Sequence, residues 1–228
     1  MRRHRLLCVE KLIIDTAPET IKCFNKNLQI VCRNMDKNTK NLLCGLVLGD
    51  GTVHKRGKRF QMHHSIKQLE YLKYKVSLLK EVGFNLEIQT FECNGYQECR
   101  CGFSNDYFTQ IRKWLYKTGK KVIKKEFLLR LTDREIALWY MDDGSLYKHK
   151  GKLGKSGDSY ELCIATYCET EGQAIDLIKF FKQRYDADFT IKRNKGKFSI
   201  RCGKRAAIKV LNKLDKYIPE CMSYKTFR

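Results

Sequence analysis

Glu135-Ile136-Ala137-Leu138-Trp139-Tyr140-Met141-Asp142-Asp143-Gly144 reads as a helix that is apolar through most of its length and stops at two carboxylates and a glycine. Leu42-Leu43-Cys44-Gly45-Leu46-Val47-Leu48-Gly49-Asp50-Gly51 repeats the design earlier in the chain. An apolar run of this kind needs burial on several sides, so both helices should lie deep in the molecule. A carboxylate at such an end leaves a dry interior, which is costly unless a cation or donor meets it. Two such ends brought together would form a small, doubly acidic site. The rest of the chain reads as its scaffold.

The elements around each motif follow one order. Asn38-Thr39 is the expected cap of the first helix and Gly51 its end. Arg59 to Ile66 alternates, with Phe60, Met62, His64 and Ile66 on one face and Arg59, Gln61, His63 and Ser65 on the other. Val53 to Arg56 is its expected hairpin partner. Gln68 to Val82 has helical spacing (Leu69, Leu72, Val76, Leu79), and strands Leu86–Glu92 and Gln97–Ser104 turn at Asn94-Gly95. A helix from Tyr107 to Tyr116 leads into a loop, Lys117 to Lys121. After the second motif come a polar loop (Lys148 to Gly157), a strand (Tyr160–Tyr167), a helix (Glu171–Tyr185), two strands (Phe189–Arg193, Lys197–Cys202) and a helix (Arg205–Tyr217). Each half reads αββαββα with a lysine after its last helix, which predicts an α+β, pseudo-two-fold molecule. Residues 38–126 and 127–228 are the expected halves. Small residues (Cys44, Gly45, Gly49, Ala137) would let the two apolar helices approach closely. Residues 1–37, with a break at Ala17-Pro18, form an extension of unassigned role.

The chain has 228 residues with 46 Lys+Arg against 25 Asp+Glu, a formal charge of +21. That balance suits a polyanion, nucleic acid first, and 43% hydrophobic residues exclude disorder as the main state. The 11 cysteines are scattered and follow no secretory signal, so free thiols in an intracellular, reducing compartment are expected. No apolar run is long enough to span a bilayer. Cys93, Cys99 and Cys101 lack the paired short gaps of a zinc site and fit strand packing.

With two apolar-Asp-Gly motifs in repeated surroundings, the chain resembles the single-chain LAGLIDADG homing endonucleases, in particular the subgroup of the yeast mitochondrial intron endonuclease. The likeness rests on Leu48-Gly49-Asp50, Leu138-Trp139-Tyr140-Met141-Asp142-Asp143-Gly144, Lys120-Lys121-Val122-Ile123, and Ile218-Pro219 with Met222, Tyr224 and Lys225. It runs from about residue 39 to the end and departs from the family at Lys124, where proline is common. The resemblance implies two four-stranded sheets forming a saddle over duplex DNA, and a monomer. It also implies that Asp50 and Asp143 hold divalent metals, Mg2+ or Mn2+, with the backbone carbonyls of Gly49 and Asp142 close by. Asp142 could instead be a direct ligand, but its offset matches Gly49. Lys121 and Lys225 would be the basic residues at the scissile phosphates, with Lys120 competing for the first place. Cleavage of both strands of a long asymmetric site, 3′ overhangs and a mobile-element origin follow from the same likeness.

A β-ribbon fits the major groove of B-DNA, where every base pair shows a distinguishable pattern. The expected DNA-reading residues are Arg59, Gln61, His63, Gln89, Gln97 and Arg100 in the first half. In the second they are Lys192, Asn194, Lys197, Ser199 and Arg201. Lys148, Lys150, Lys152 and Lys155 would track phosphates, giving affinity rather than specificity. The rival reading is an RNA-binding intron maturase on the same fold. A repressor that binds DNA without cutting it is a third.

Overall fold

A computed structural model describes residues 35–117, 119–149, 159–168, 170–194 and 196–228, and residues 36–228 form one compact unit. Nearly all of the expected extension lies outside the described residues. The first half runs α1 (Lys37–Leu48), β1 (Thr52–Val53), β2 (Arg59–Ser65), α2 (Leu69–Glu81), β3 (Gln89–Cys93), β4 (Tyr96–Ser104) and α3 (Tyr107–Leu115). A hairpin, β5 (Tyr116–Lys117) and β6 (Lys120–Lys121), and a short α4 (Lys125–Leu128) follow. The second half runs α5 (Asp133–Asp143), β7 (Gly144–His149), β8 (Ser159–Cys168), α6 (Glu171–Tyr185), β9 (Thr190–Asn194), β10 (Lys197–Gly203) and α7 (Lys204–Leu214). Two antiparallel four-stranded sheets result, ordered β1-β2-β4-β3 and β7-β8-β10-β9. The α+β class and the repeated α-β-β-α-β-β-α order are those expected from the sequence, with β7, where no strand is read from the sequence, supplying the fourth strand of the second half.

Helix α1 starts two to three residues earlier than Asn38-Thr39 suggests. The Asp36 carboxylate accepts the Thr39 amide hydrogen at 2.6 Å, which makes Asp36 the cap and puts Thr39 inside the first turn. From Asn41 to Leu48 every α1 residue is buried, because α1 is packed against both α5 and α3. Helix α5 begins with a capping box: the Glu135 carboxylate accepts from the Thr132 amide (2.9 Å) and hydroxyl (2.6 Å). Arg134 completes the neutralisation of this fully buried acid at 2.8 Å.

The helices cross where Gly45 meets Glu135. A Cβ on Gly45 would lie 2.7 Å from the Glu135 Cβ, so only glycine allows this approach. Beside the crossing, the Cys44 sulfur faces the Tyr107 hydroxyl of α3 at 3.7 Å. Gly45→Ala is expected to destabilise the chain by about 1–3 kcal/mol through overpacking, read as a lower urea midpoint at unchanged slope.

The sheets carry their apolar faces toward the helices. In β2 the buried set is Phe60, Met62 and His64, and in β4 Cys99 and Cys101 are buried beside them, the strand packing expected of these cysteines. All eight cysteines among the described residues are free. The β3–β4 turn is built from Asn94 and Gly95 at φ 51° and 79°, a left-handed pair that suits a two-residue hairpin. Among the described residues no helix is long and apolar enough to cross a membrane.

Candidate active site

Each crossing helix delivers its carboxylate to the start of a sheet: Asp50 precedes β1, and Asp143 is the last residue of α5 before β7. The two ends differ in detail. Helix α1 stops at Leu48, and Gly49 leaves the helix with ψ −133°, whereas α5 stays helical through Asp143. Asp142 bridges them, its Oδ2 accepting the Asp50 amide hydrogen at 2.9 Å. A Cβ on Gly49 would fall 2.0 Å from that same oxygen, so glycine at 49 makes room for the Asp142 carboxylate.

Lys121 and Lys225 converge on this junction. Lys121 Nζ donates to the Gly49 carbonyl, and Lys225 Nζ to that of Met141. The β5–β6 hairpin, turning through Gly119 at φ 84°, aims Lys121 at the junction and leaves Lys120 exposed. This hairpin stands where the sequence suggested a loop. Lys225 ends a 3-10 segment, Glu220–Lys225, anchored by the Tyr140 hydroxyl donating to the Lys225 carbonyl at 2.6 Å. It meets Met141 rather than Asp142 because α5 has not yet unwound there.

Burial dominates the electrostatics. It raises the Asp143 carboxyl to about 7, with Asp142 and Asp50 adding like-charge repulsion and Lys121 and a Trp139 hydrogen bond opposing. The Trp139 indole donates to Asp143 Oδ2 at 3.0 Å. Asp50 is raised by burial and then by Asp142. Burial makes Lys121 and Lys225 more acidic than usual, with the surrounding aspartates opposing. A carboxylate pair short of compensating charge, presenting hard oxygen donors, is chemistry that suits Mg2+ or Mn2+.

Lys75 has no counterpart among the residues expected from the sequence, and His64, expected on the buried face of its strand and not as a metal ligand, lies within ligand range of Asp50 and Asp142. Lys75 of α2 is fully buried and donates to Asp142 Oδ1 at 2.6 Å, with His64 Nε2 at 3.1 Å. Spacing could have exposed it: Leu72, Lys75 and Leu79 lie at i, i+3 and i+7, on the buried stripe. His64 falls on the buried face of β2, as its alternation indicates, and burial followed by the Lys75 charge lowers its imidazole to about 4.

Most expected DNA-reading residues share the sheet faces turned away from the helices. Arg59, Gln61 and His63 lie in phase with Arg100 and Gln89 through the pairs His63↔Arg100 and Gln89↔Arg100. Lys192, Asn194, Lys197, Ser199 and Arg201 are in phase in the other sheet. Gln97 is a correction: three positions from Arg100 and paired with Glu92, it lies on the opposite face, because side chains alternate. Lys148 is another. Strand β7 runs to His149, so Lys148 belongs to a strand and pairs with Tyr160 on the face of Leu162, not that of Arg201. Lys150, Lys152 and Lys155 lie outside the described residues. Several side chains on these faces hold one another: Glu161 accepts from Arg201 (3.0 Å) and Lys192 (3.4 Å), and Gln89 from Arg100 (3.2 Å).

Crossing helices with acidic ends, each feeding a four-stranded sheet, define a two-motif α+β architecture. The profile of the LAGLIDADG DNA endonuclease family matches residues 40–209, and the chain belongs to that family. Its structure is similar to that of the homing endonuclease I-WcaI bound to its DNA recognition sequence. The TM-score is 0.72 at 23% identity, covering 93% of this chain and 95% of that one. In sequence it is 27% identical over 200 residues to a protein RecA of Mycobacterium shimoidei, covering 81% of this chain and 45% of that protein. It thus spans less than half the length of that relative. It is also 26% identical over 205 residues to the cytochrome b mRNA maturase bI2 of Debaryomyces hansenii, covering 84% of this chain and 74% of that one. The maturase relative accords with the subgroup resemblance seen in the motifs.

Proposed function

We propose that the chain is a site-specific endonuclease that cuts both strands of a long, asymmetric DNA duplex by metal-assisted phosphodiester hydrolysis, acting as a monomer. The observation that carries this reading is the pairing at the helix ends: Asp50 and Asp143 at the junction, with Lys121 and Lys225 donating to the adjoining carbonyls. Phosphodiester hydrolysis needs an activated water, neutralised charge on the pentacoordinate phosphorus and a stabilised leaving alkoxide. A divalent cation held by Asp50 or Asp143 supplies Lewis acidity and a more acidic water. The lysines, made more acidic by burial, hold protons beside the helix ends, where they can polarise water and balance phosphate charge. One acid and one lysine from each half provide a set for each strand. The outward sheet faces, rich in Lys, Arg, Gln and His, support reading of base edges, and their inequality suits an asymmetric target. The free thiols support an intracellular, reducing location.

The test is to incubate the chain with a plasmid library of fragmented genomic DNA and sequence the ends produced. Paired ends at one site that require Mg2+ or Mn2+ and vanish with EDTA are expected; ends that form equally in EDTA, or none with either metal, would refute the reading. The maturase relative favours a second reading, RNA binding that assists splicing. Accelerated splicing of an interrupting intron without DNA cleavage would select it.

A further inference from the structure

Lys75 is a buried cation whose contacts all point at the acidic junction. Its side chain and that of Asp142 are both 0% exposed. Its ammonium is 2.6 Å from Asp142 Oδ1, 3.1 Å from His64 Nε2 and 4.3 Å from the Tyr71 ring centroid. An ammonium only donates, so His64 Nε2 accepts and the ring hydrogen sits on Nδ1. That nitrogen faces Gln68 Oε1 at 3.2 Å and Asp50 Oδ2 at 3.7 Å. Asp142 is engaged at both oxygens, with Oδ1 accepting from Lys75 and Oδ2 from the Asp50 amide.

Asp50, His64 and Asp142 nevertheless bring one ligand atom each within 4.8 Å of one another, close enough to hold a metal ion. The Lys75 ammonium lies against two of the three, Asp142 and His64. The second half has no counterpart to it. Lys75 lies ten positions after Ser65, which caps the 3-10 turn Ile66–Gln68 leading into α2, and the tenth after Thr170, the cap of α6, is the buried Phe180. Gly49 likewise stands where the second motif has Asp142. The lysine and its aspartate thus occupy one side of the pseudo-two-fold only.

We propose that Lys75 is a positioning residue that withholds Asp142 from the metal layer, so that only Asp50 and Asp143 offer carboxylates to the catalytic cations. Without its charge, Asp142 joins Asp50 and His64 as a further cation site, and the balance between the two halves is lost. This inference rests on the metal-dependent reading above.

The test is Mn2+ binding to the whole chain without DNA, followed by electron paramagnetic resonance. Lys75→Gln removes the charge while its amide can still donate to Asp142 and His64. It is expected to bind Mn2+ about tenfold tighter, or to take one more ion per chain, since an uncompensated carboxylate now faces the site. Lys75→Gln with Asp142→Asn should return to wild-type binding, and Lys75→Arg should stay there. A lysine with a structural role alone would lower the melting temperature of Lys75→Gln and leave Mn2+ binding unchanged or weaker, and that pattern overturns the proposal. If Lys75→Gln does not fold, pulsed electron paramagnetic resonance of the wild type decides: with Lys75 holding Asp142 and His64, bound Mn2+ should show no coupling to a directly ligated imidazole nitrogen, and such a coupling overturns the proposal. Absence of Mn2+ binding by the wild type would sink the metal-dependent reading and this inference together. Wild-type binding with unaltered variants sinks the inference alone.

Discussion

Asp50→Asn or Asp143→Asn is expected to lower duplex cleavage on the order of 10³-fold or more while leaving DNA binding and the fold intact. Carboxamide and carboxylate have the same shape, so in Asp143→Asn the amide oxygen can still accept the Trp139 indole hydrogen that Asp143 Oδ2 accepts at 3.0 Å. What disappears is the negative charge that holds a cation against the scissile phosphate. Loss of charge stabilisation worth several kcal/mol in the transition state corresponds to a rate loss of that order, at about 1.4 kcal/mol for each factor of ten. DNA affinity should hold or rise, since one negative charge near the phosphates is gone. The measurement is a cleavage time course beside a binding isotherm in Ca2+. A variant that cuts at near wild-type rate would remove Asp50 and Asp143 from the chemistry.

The parts of this site that were legible in the sequence are those carried by one element at a time. Two apolar runs, each closing on Asp-Gly, announced buried helices with acidic ends, and the order of elements after each announced the repeat. Residues whose role depends on a neighbour from another element were harder to see. Lys75 reads as one lysine among many along α2 until the end of α5 is placed over it; its position between Leu72 and Leu79 was the available sign. Gln97 and Lys148 differ from their expected places for separate reasons. Gln97 stands an odd number of positions from Arg100, so in one strand the two face opposite sides, a parity the sequence already carried; Lys148 falls in a strand because β7 runs to His149, into what reads as a polar loop. The Lys121 hairpin lay hidden because two strands of two residues each are too short to show an alternation.

In EDTA, Asp143→Asn is expected to stabilise the chain at pH 8 and to change it little near pH 4, with a difference that grows across the interval between. The folded Asp143 carboxyl titrates at about 7 against an ordinary 3.8. Between those values the folded chain keeps a proton that the unfolded chain has released, so this group's contribution to stability falls as pH rises, by about 1.4 kcal/mol per pH unit at most. Above pH 7 the loss is complete and amounts to a few kcal/mol, on the order of 2–4. The wild-type curve alone would mask it. His64 titrates at about 4 when folded instead of 6.5, and a buried neutral imidazole has the opposite sign, adding stability as pH rises between those values. The difference between wild type and Asp143→Asn removes the histidine and leaves the carboxylate together with the charges it faces, Asp50, Lys121 and Lys225. Mn2+ should reverse the order at pH 8, raising the melting temperature of the wild type more than that of the variant, because the cation meets the charge that burial leaves uncompensated. Below pH 7 protons compete with it, and the Mn2+-induced shift should shrink as affinity falls about tenfold per pH unit. Calorimetric scans of both proteins at pH 5, 6.5 and 8, with EDTA or Mn2+, measure all of this. A stability difference that does not vary with pH would mean that Asp143 ionises as an ordinary carboxyl and that the junction stores no unmet charge for a metal to relieve.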